Sequence, residues 1–358
     1  MPQSFASLAA IRDAPFDAII DVRSPAEYAE DRVPGAISLP VLSNAERAMV
    51  GTIYTQDAPF RARKVGAALV ARNAAAHIEG PLADMDGGWR PLVYCWRGGQ
   101  RSGSFVSILS QIGWRADLIA GGYRSYRRLV VAAMHEAALP QSLILLDGYT
   151  GTAKTELLAL LGARGVQVVD LEGLAAHRGS LFGGTGTAQP AQKGFESALA
   201  QAFDRFDPAR PVVVEAESSK IGDLLIPGSV WRAMRAAPRF QISAPLQARA
   251  RYLTRSYADM VADPQVLAAT LDQLIPFHGH EAVKAWRALA QAGDFVTLAA
   301  QLMQRHYDPR YAKSRGSGVD AALLRLDLPD LGGQDLDQAA DRLALACNSY
   351  LPPGVSAP

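Results

Sequence analysis

The sequence predicts a parallel α/β fold built as two successive domains. Short apolar runs that read as buried strands alternate with segments of helical spacing. Two Gly-rich turns each follow such a strand and precede such a helix. The chain has 358 residues, enough for about two domains at roughly 100–200 residues each. With 49% apolar and 20% charged residues its composition is ordinary for a globular protein, which excludes disorder, collagen or coiled coil as the main architecture. The formal net charge is +1, so no global charge advertises nucleic acid, and any such partner must be sought in local patches. Two cysteines make no disulfide scaffold and point to a reducing compartment. No uncharged apolar run reaches about 18 residues, and the N-terminus lacks a basic start followed by a long apolar stretch. A cytoplasmic enzyme without a membrane span or signal peptide is therefore expected.

The first domain is expected over residues 1–138. Phe16–Val22 reads as a buried strand. Ser24-Pro25-Ala26-Glu27 then carries a capping-box pattern, serine at the N-cap, proline at N1 and glutamate at N3, so a short helix starts here. Val33-Pro34-Gly35-Ala36 is a turn and Ile37–Leu39 a short strand. Pro91–Cys95 is a further buried strand, Ser102–Ile112 a helix, and Ala116–Ala120 a strand closed by Gly121-Gly122. A boundary near His135–Ser142 opens the second domain, 139–358. There Leu143–Leu146, Val166–Asp170, Pro211–Glu215 and Arg239–Ser243 read as buried strands, with a helix from about Lys154 to Leu161 and a mostly helical region from Pro245 onward.

Cys95 ends its strand and Tyr94-Cys95-Trp96-Arg97-Gly98-Gly99-Gln100-Arg101-Ser102 leads into a helix. Amide groups of such a loop and a helix N-terminus favour an anion and favour thiolate over thiol. Gly98 and Gly99 let the backbone approach a phosphate, and Arg97 and Arg101 add charge that can fork onto a tetrahedral anion. These features make Cys95, Arg97 and Arg101 candidate catalytic residues. Asp21–Tyr28, Val33–Ile37, Tyr94–Ser102 and Gly121-Gly122-Tyr123 together resemble rhodanese domains, over about residues 5–130. One departure matters: five residues separate Cys95 from Arg101, where a sulfur-transferring rhodanese usually has four. The C-x5-R spacing is similar to the phosphatase branch of that superfold and suits a larger anion of phosphate type.

Gly148-Tyr149-Thr150-Gly151-Thr152-Ala153-Lys154-Thr155 fits the phosphate loop G-x-x-x-x-G-K-S/T except that Ala153 stands where the last glycine belongs. Gly148, Gly151 and Thr152 supply the cradle, Lys154 reaches the phosphates, and Thr155 is the candidate ligand for Mg²⁺. A Cβ at Ala153 is expected to weaken the grip on a nucleoside triphosphate while leaving a diphosphate bound. Glu215, with Glu217 two residues on, is placed like the acid that ends the neighbouring strand in P-loop NTPases. Asp170 and Glu172 follow a strand on the same sheet edge, as metal ligands, acid/base groups or helix caps. The metal itself is not identified by the sequence.

Positive charge is concentrated locally. Leu224–Ala258 holds six arginines and no acid, and of these Arg232, Arg235, Arg249, Arg251 and Arg255 are RNA-binding candidates, with solvated helix faces as the alternative. The whole pattern is more specific than its parts. The loop at Cys95, the phosphate loop, Asp170–Ser180, Gln192–Glu196, Glu215–Gly222 and His306–Tyr311 resemble the bacterial tRNA 2-selenouridine synthases, over about residues 5–315. That resemblance implies a rhodanese-like domain followed by a P-loop NTPase-like domain with a helical C-terminal part. It implies replacement of sulfur by selenium in wobble 2-thiouridine of tRNA, with selenophosphate as donor and an S-geranyl intermediate from geranyl diphosphate. It implies no tightly bound cofactor. Two rivals stand beside it: a C-x5-R phosphatase fused to a kinase-like P-loop module, and a non-catalytic RNA- or nucleotide-binding protein.

Overall fold

A computed structural model describes residues 2–184, 186–315 and 322–351. The chain divides into two compact units, residues 1–137 with 190–205, and 138–189 with 206–358. The helix Gln192–Asp204 thus clusters with the first unit although the sequence suggested an unbroken second segment. The reason is charge: Arg127 is ion-paired to Glu196 on that helix, and Lys193 to Glu30 at 2.7 Å.

The first unit holds a five-stranded parallel sheet: β1 (Pro2–Gln3), β2 (Ala18–Asp21), β3 (Ile37–Ser38), β4 (Pro91–Tyr94) and β5 (Asp117–Ile119). Their order across the sheet is β1-β5-β4-β2-β3. The fully buried run Pro91–Tyr94 sits at its centre, as a strand covered on both faces must. Ile20, Val93, Phe105 and Leu109 build the core around it. The Ser24 capping box forms and starts the helix Pro25–Glu30. Arg23, 1% exposed, is held by a bidentate bond to Asp21, whose carboxylate also accepts the Tyr94 hydroxyl at 2.7 Å. A buried pair of this kind is costly to break from one side, about 3–5 kcal/mol. It fixes the strand ends that carry the Cys95 loop.

The second unit has β6 (Leu143–Gly148), β7 (Gln167–Val169), β8 (Val212–Glu215), a small hairpin of β9 (Lys220–Ile221) and β10 (Leu224–Leu225), then β11 (Arg239–Ser243) and β12 (Ala322–Asp327). The main sheet runs β12-β11-β6-β8-β7, all parallel. Strand β6 is therefore central, and the loop after it lies at the carboxyl edge where the chain leaves to either side, the usual ligand position of such sheets. Leu157, Leu158 and Leu161 of the helix Lys154–Ala163 pack on Ile144, Leu146 and Phe240. A separate apolar cluster around Trp286 and Leu271 knits the C-terminal helices. Among the described residues no helix is long and apolar enough to cross a membrane.

Candidate functional site

The Cys95 loop is built by close backbone approach. Gly98 has φ +67°, and Gly122 has φ +60°. A Cβ on Gly122 would lie 2.2 Å from the Cys95 carbonyl and 2.5 Å from the Gly98 nitrogen, so only glycine fits. The Tyr123 amide donates to the Cys95 carbonyl at 2.8 Å, which clamps the loop against the turn at Gly121-Gly122. The helix Gln100–Ile112 begins directly beyond. The Ser102 hydroxyl donates to Cys95 Sγ at 3.1 Å. Burial pushes the thiol pKa up, but the Ser102 hydroxyl and amide, the Arg101 charge and the Arg97 amide outweigh it, and the net shift is downward. The loop thus favours the thiolate relative to an ordinary cysteine. Ser102 was visible in the motif but its role was not.

Arg101 departs from expectation. Its fork is filled by Glu27, at 2.8 and 3.2 Å, so it stabilises the thiolate through its field rather than waiting open for an anion. Glu27 is buried, which alone would raise its pKa. Arg101 and Arg47 reverse that and hold it at about 2. Arg97 is the exposed cation beside the loop.

The phosphate loop leaves β6 at Gly148. Gly151 has φ +83°. Ala153 has φ +59° and ψ +30°, the left-handed region. A non-glycine residue in that region carries strain of roughly 1–2 kcal/mol. Its methyl, only 3% exposed, packs in the core with Leu146 and Leu157. The residue also lines the cavity over the loop. Ala153→Gly should relieve the strain, lose about 0.8 kcal/mol of methyl burial and add about 0.5–1 kcal/mol of chain entropy. The net change in unfolding free energy, measured with urea, is expected within about 1 kcal/mol of zero, with unchanged affinity for diphosphate. A large gain in either would show that the methyl does face the cradle.

Side chains distant in sequence buttress the loop. The Tyr311 hydroxyl bonds Asp147, and Tyr149 packs on the Tyr311 ring at 5.3 Å. Arg249 donates to the Thr150 carbonyl at 3.1 Å and forms a two-pronged pair with Asp308 at 3.0 and 2.9 Å. Arg249 is 7% exposed, so its reading as an RNA contact is wrong: its charge is spent inside the unit. Arg251 pairs with Asp330 at 3.1 Å, Arg255 donates to the Leu331 carbonyl at 2.9 Å, and Arg232 donates to the Ser229 hydroxyl at 3.2 Å. Of the five candidates, Arg235 alone lines the cavity described next. The segment His306–Tyr311 supplies Asp308 and Tyr311 to the loop.

A cavity of about 1360 Å³ opens over the phosphate loop. Lys154, Thr155, Asp170, Glu172 and Glu217 all line it. Lys154 Nζ donates to the Gly148 carbonyl at 3.0 Å, and Thr152 Oγ1 to the Tyr149 carbonyl at 2.8 Å. Asp170 accepts from the Gly173 amide at 2.7 Å and so acts as a helix cap. Glu215 does not reach the cavity. It is wholly buried, accepts from the Leu171 amide at 3.0 Å, and its pKa is raised well above the usual carboxylate range by burial and by Asp170. Its reading as a metal-binding acid is corrected accordingly: it ties the end of β8 to the start of the helix that follows β7. A smaller, almost wholly apolar chamber of about 80 Å³ adjoins, sharing Thr150, Ser180, Leu253, Tyr257 and Tyr307 with the large cavity and lined deeper by Met260 and Leu298.

Glu172 and Glu217 form an interacting carboxyl pair on the cavity wall, with Asp170 acting on Glu172 as well. Thr155 Oγ1 donates to Glu172 at 3.3 Å. Burial and the neighbouring Glu172 charge push Glu217 up to about 8, against the pull of Lys154, while burial also raises Glu172. The folded state therefore holds a proton that the unfolded chain releases near its ordinary value of 4.5. That contribution to stability is complete below 4.5 and is lost as pH rises through about 8. Glu217→Gln should flatten the fall in melting temperature between about pH 4.5 and pH 8. Parallel curves for the two proteins would contradict the shared proton. Thr155 lines the cavity next to Lys154. Among the described residues no group of three or more His, Cys, Asp and Glu could hold a metal ion by itself.

Comparison with known proteins places both halves. Residues 4–129 match the rhodanese-like domain model, and residues 141–279 match the tRNA 2-selenouridine synthase AAA domain model. The tRNA 2-selenouridine synthase of Nitrosomonas europaea is 33% identical over 270 residues, 74% of this chain and 69% of that protein. The protein of the same name from Cupriavidus pinatubonensis is 35% identical over 272 residues, 74% of this chain and 71% of its own. The chain belongs to the tRNA 2-selenouridine synthase family. Within that family, the Chromohalobacter salexigens protein is 37% identical over 67% of this chain and 65% of its own. Among solved structures, the N-terminal domain of a Clostridium difficile 630 protein described as ATP/GTP-binding aligns with 37% of this chain and 99% of its own, at 30% identity and a TM-score of 0.31.

Proposed function

We propose that this protein replaces the sulfur of wobble 2-thiouridine in tRNA by selenium, drawing on selenophosphate and passing through an S-geranyl intermediate made from geranyl diphosphate. The observation that carries this reading is the presence, in one member of this family, of two unlike anion sites: a thiolate loop at Cys95, and a lysine-bearing phosphate loop whose cavity continues into an apolar chamber.

In the first step the thiocarbonyl sulfur attacks C1 of the geranyl group. The S–C bond forms, the C–O bond breaks, and diphosphate leaves with the electron pair. Lys154 and the loop amides stabilise the charge that develops on it. The nucleoside loses its N3 proton, and the ionised member of the Glu172–Glu217 pair is the base on the cavity wall. The apolar chamber takes the distal end of the geranyl chain, with Leu253, Tyr257 and Tyr307 at its mouth. Mg²⁺, where it accompanies the diphosphate, adds charge neutralisation beside Thr155.

In the second step the Cys95 thiolate attacks phosphorus of selenophosphate. The S–P bond forms, the P–Se bond breaks, and hydrogen selenide leaves with the electron pair. Selenide adds at C2 of the S-geranyl nucleoside, its proton passes to N3, and geranyl thiolate leaves and is protonated. Water then cleaves the phosphocysteine to phosphate and thiol. No atom changes oxidation state at phosphorus, and Arg97 is the exposed cation for the phosphate oxygens.

The C-x5-R spacing also favours a second reading, a phosphatase fused to a kinase-like module, which shares the phosphocysteine. Release of phosphate from a generic aryl phosphate would support it. The test of the first reading is nucleoside analysis of bulk tRNA from selenium-supplied cells with and without this protein. A reaction on tRNA also fits the cytoplasm as its site. 2-Selenouridine that appears only with the protein is the expected result, and identical nucleosides in both would overturn it.

A further inference from the structure

The cavity over the phosphate loop, about 1360 Å³, exceeds the roughly 300–1,000 Å³ that a single small ligand fills. Lys154 and Thr155 account for one part of its wall. Another part comes from the helix Gly228–Ala236, which presents Trp231 and Arg235 to the same cavity. They are four residues apart, so they stand one turn apart on one helix face. Met234, 1% exposed, anchors that helix and lines the cavity between them. Arg310 enters the cavity from the helix Asp308–Arg315, with its guanidinium 4.4 Å from the Phe277 ring centre. Neither Arg235 nor Arg310 has an acidic partner among the described residues. The other arginines in the wall do: Arg239 pairs with Asp147 at 3.3 Å and Arg178 with Asp259 at 3.1 Å.

A diphosphate with an apolar tail needs neither a half-buried indole nor two further uncompensated cations. A nucleotide needs both, because every base has a face that stacks on an aromatic ring and its flanking phosphates seek cations. We infer that Trp231, Arg235 and Arg310 form a second subsite in this cavity, one that receives a single nucleotide extruded from an RNA loop. The base stacks on Trp231, and Arg235 and Arg310 meet the phosphates on either side. This rests on the reading that an RNA nucleoside reacts at the phosphate loop. Chemistry on a base requires it to leave its stack, which is least costly in a single-stranded loop.

The test uses the full chain and an anticodon stem–loop RNA with 2-thiouridine at the wobble position, followed by fluorescence anisotropy. Trp231→Ala should weaken RNA binding about tenfold, and Trp231→Phe should keep most of it. Arg235→Glu should weaken it and lower the salt slope by about one unit. Inorganic diphosphate, titrated by calorimetry, should bind all three variants as it binds the parent, which shows the cavity intact. Parent-like RNA affinity in Trp231→Ala and Arg235→Glu overturns the subsite while leaving the proposed reaction standing. Loss of diphosphate binding together with RNA binding also overturns it, because the two subsites are then one. A parent protein that does not bind the RNA at all removes the proposed reaction along with the subsite.

Discussion

Cys95→Ala should lower selenium incorporation into tRNA by about a thousandfold or more, the scale on which a lost nucleophile acts, while S-geranyl nucleoside still forms. The two halves of this expectation come from different parts of the molecule. Cys95 belongs to the first unit, and the Ser102 hydroxyl at 3.1 Å and the Arg101 charge lower its thiol pKa against the effect of burial. The proposed geranyl step would use only residues around the phosphate loop of the second unit, such as Lys154 on the cavity wall. S-Geranyl nucleoside should therefore accumulate in the variant, and mass spectrometry of digested tRNA reads both species at once. The alanine removes one buried sulfur next to Ser102 and leaves the Gly98–Gly122 clamp in place, so the unit should remain folded. Selenium incorporation that survives in Cys95→Ala would assign the phosphorus chemistry elsewhere.

Lys154→Ala should give the complementary result. In the free protein Lys154 Nζ rests on the Gly148 carbonyl at 3.0 Å, near the Tyr311 ring. A bound diphosphate offers it a charged acceptor in exchange, and the charge on that acceptor grows as the C–O bond breaks. Removing one such donor costs about 10²–10³ in rate. Geranyl transfer should fall by that factor, whereas tRNA that already carries the S-geranyl group should still be converted to the selenium form. If Cys95→Ala and Lys154→Ala both block the same single step, the division of labour between the two loops is wrong.

Much of this site is legible in the amino-acid sequence because it is written locally. The strands at Ala18–Asp21, Pro91–Tyr94, Leu143–Gly148 and Val212–Glu215 are unbroken apolar runs bounded by turn residues. The Ser24 capping box and the Cys95 and Lys154 loops are likewise contiguous. Two edge strands, β1 and β12, were not legible. Pro2–Gln3 is two residues long, and Ala322–Asp327 lies within what reads as a helical region. Long-range pairing was not legible either. Arg249 in an acid-free stretch looks like a solvated cation, but its acid, Asp308, is 59 residues away. Arg101 looks like an open fork, but Glu27 arrives from 74 residues upstream. Glu215 looks like a metal ligand until the fold buries it beside Asp170. Charge on a sequence shows where cations lie and not which are already satisfied.

The central claim is most directly tested by reconstitution with purified, nucleotide-free protein and thiolated tRNA. Geranyl diphosphate alone should yield the S-geranyl nucleoside, and subsequent selenophosphate should convert it to 2-selenouridine, with no ATP or GTP present. A strict requirement for added nucleotide, or selenium incorporation with no S-geranyl species on the way, would contradict the account.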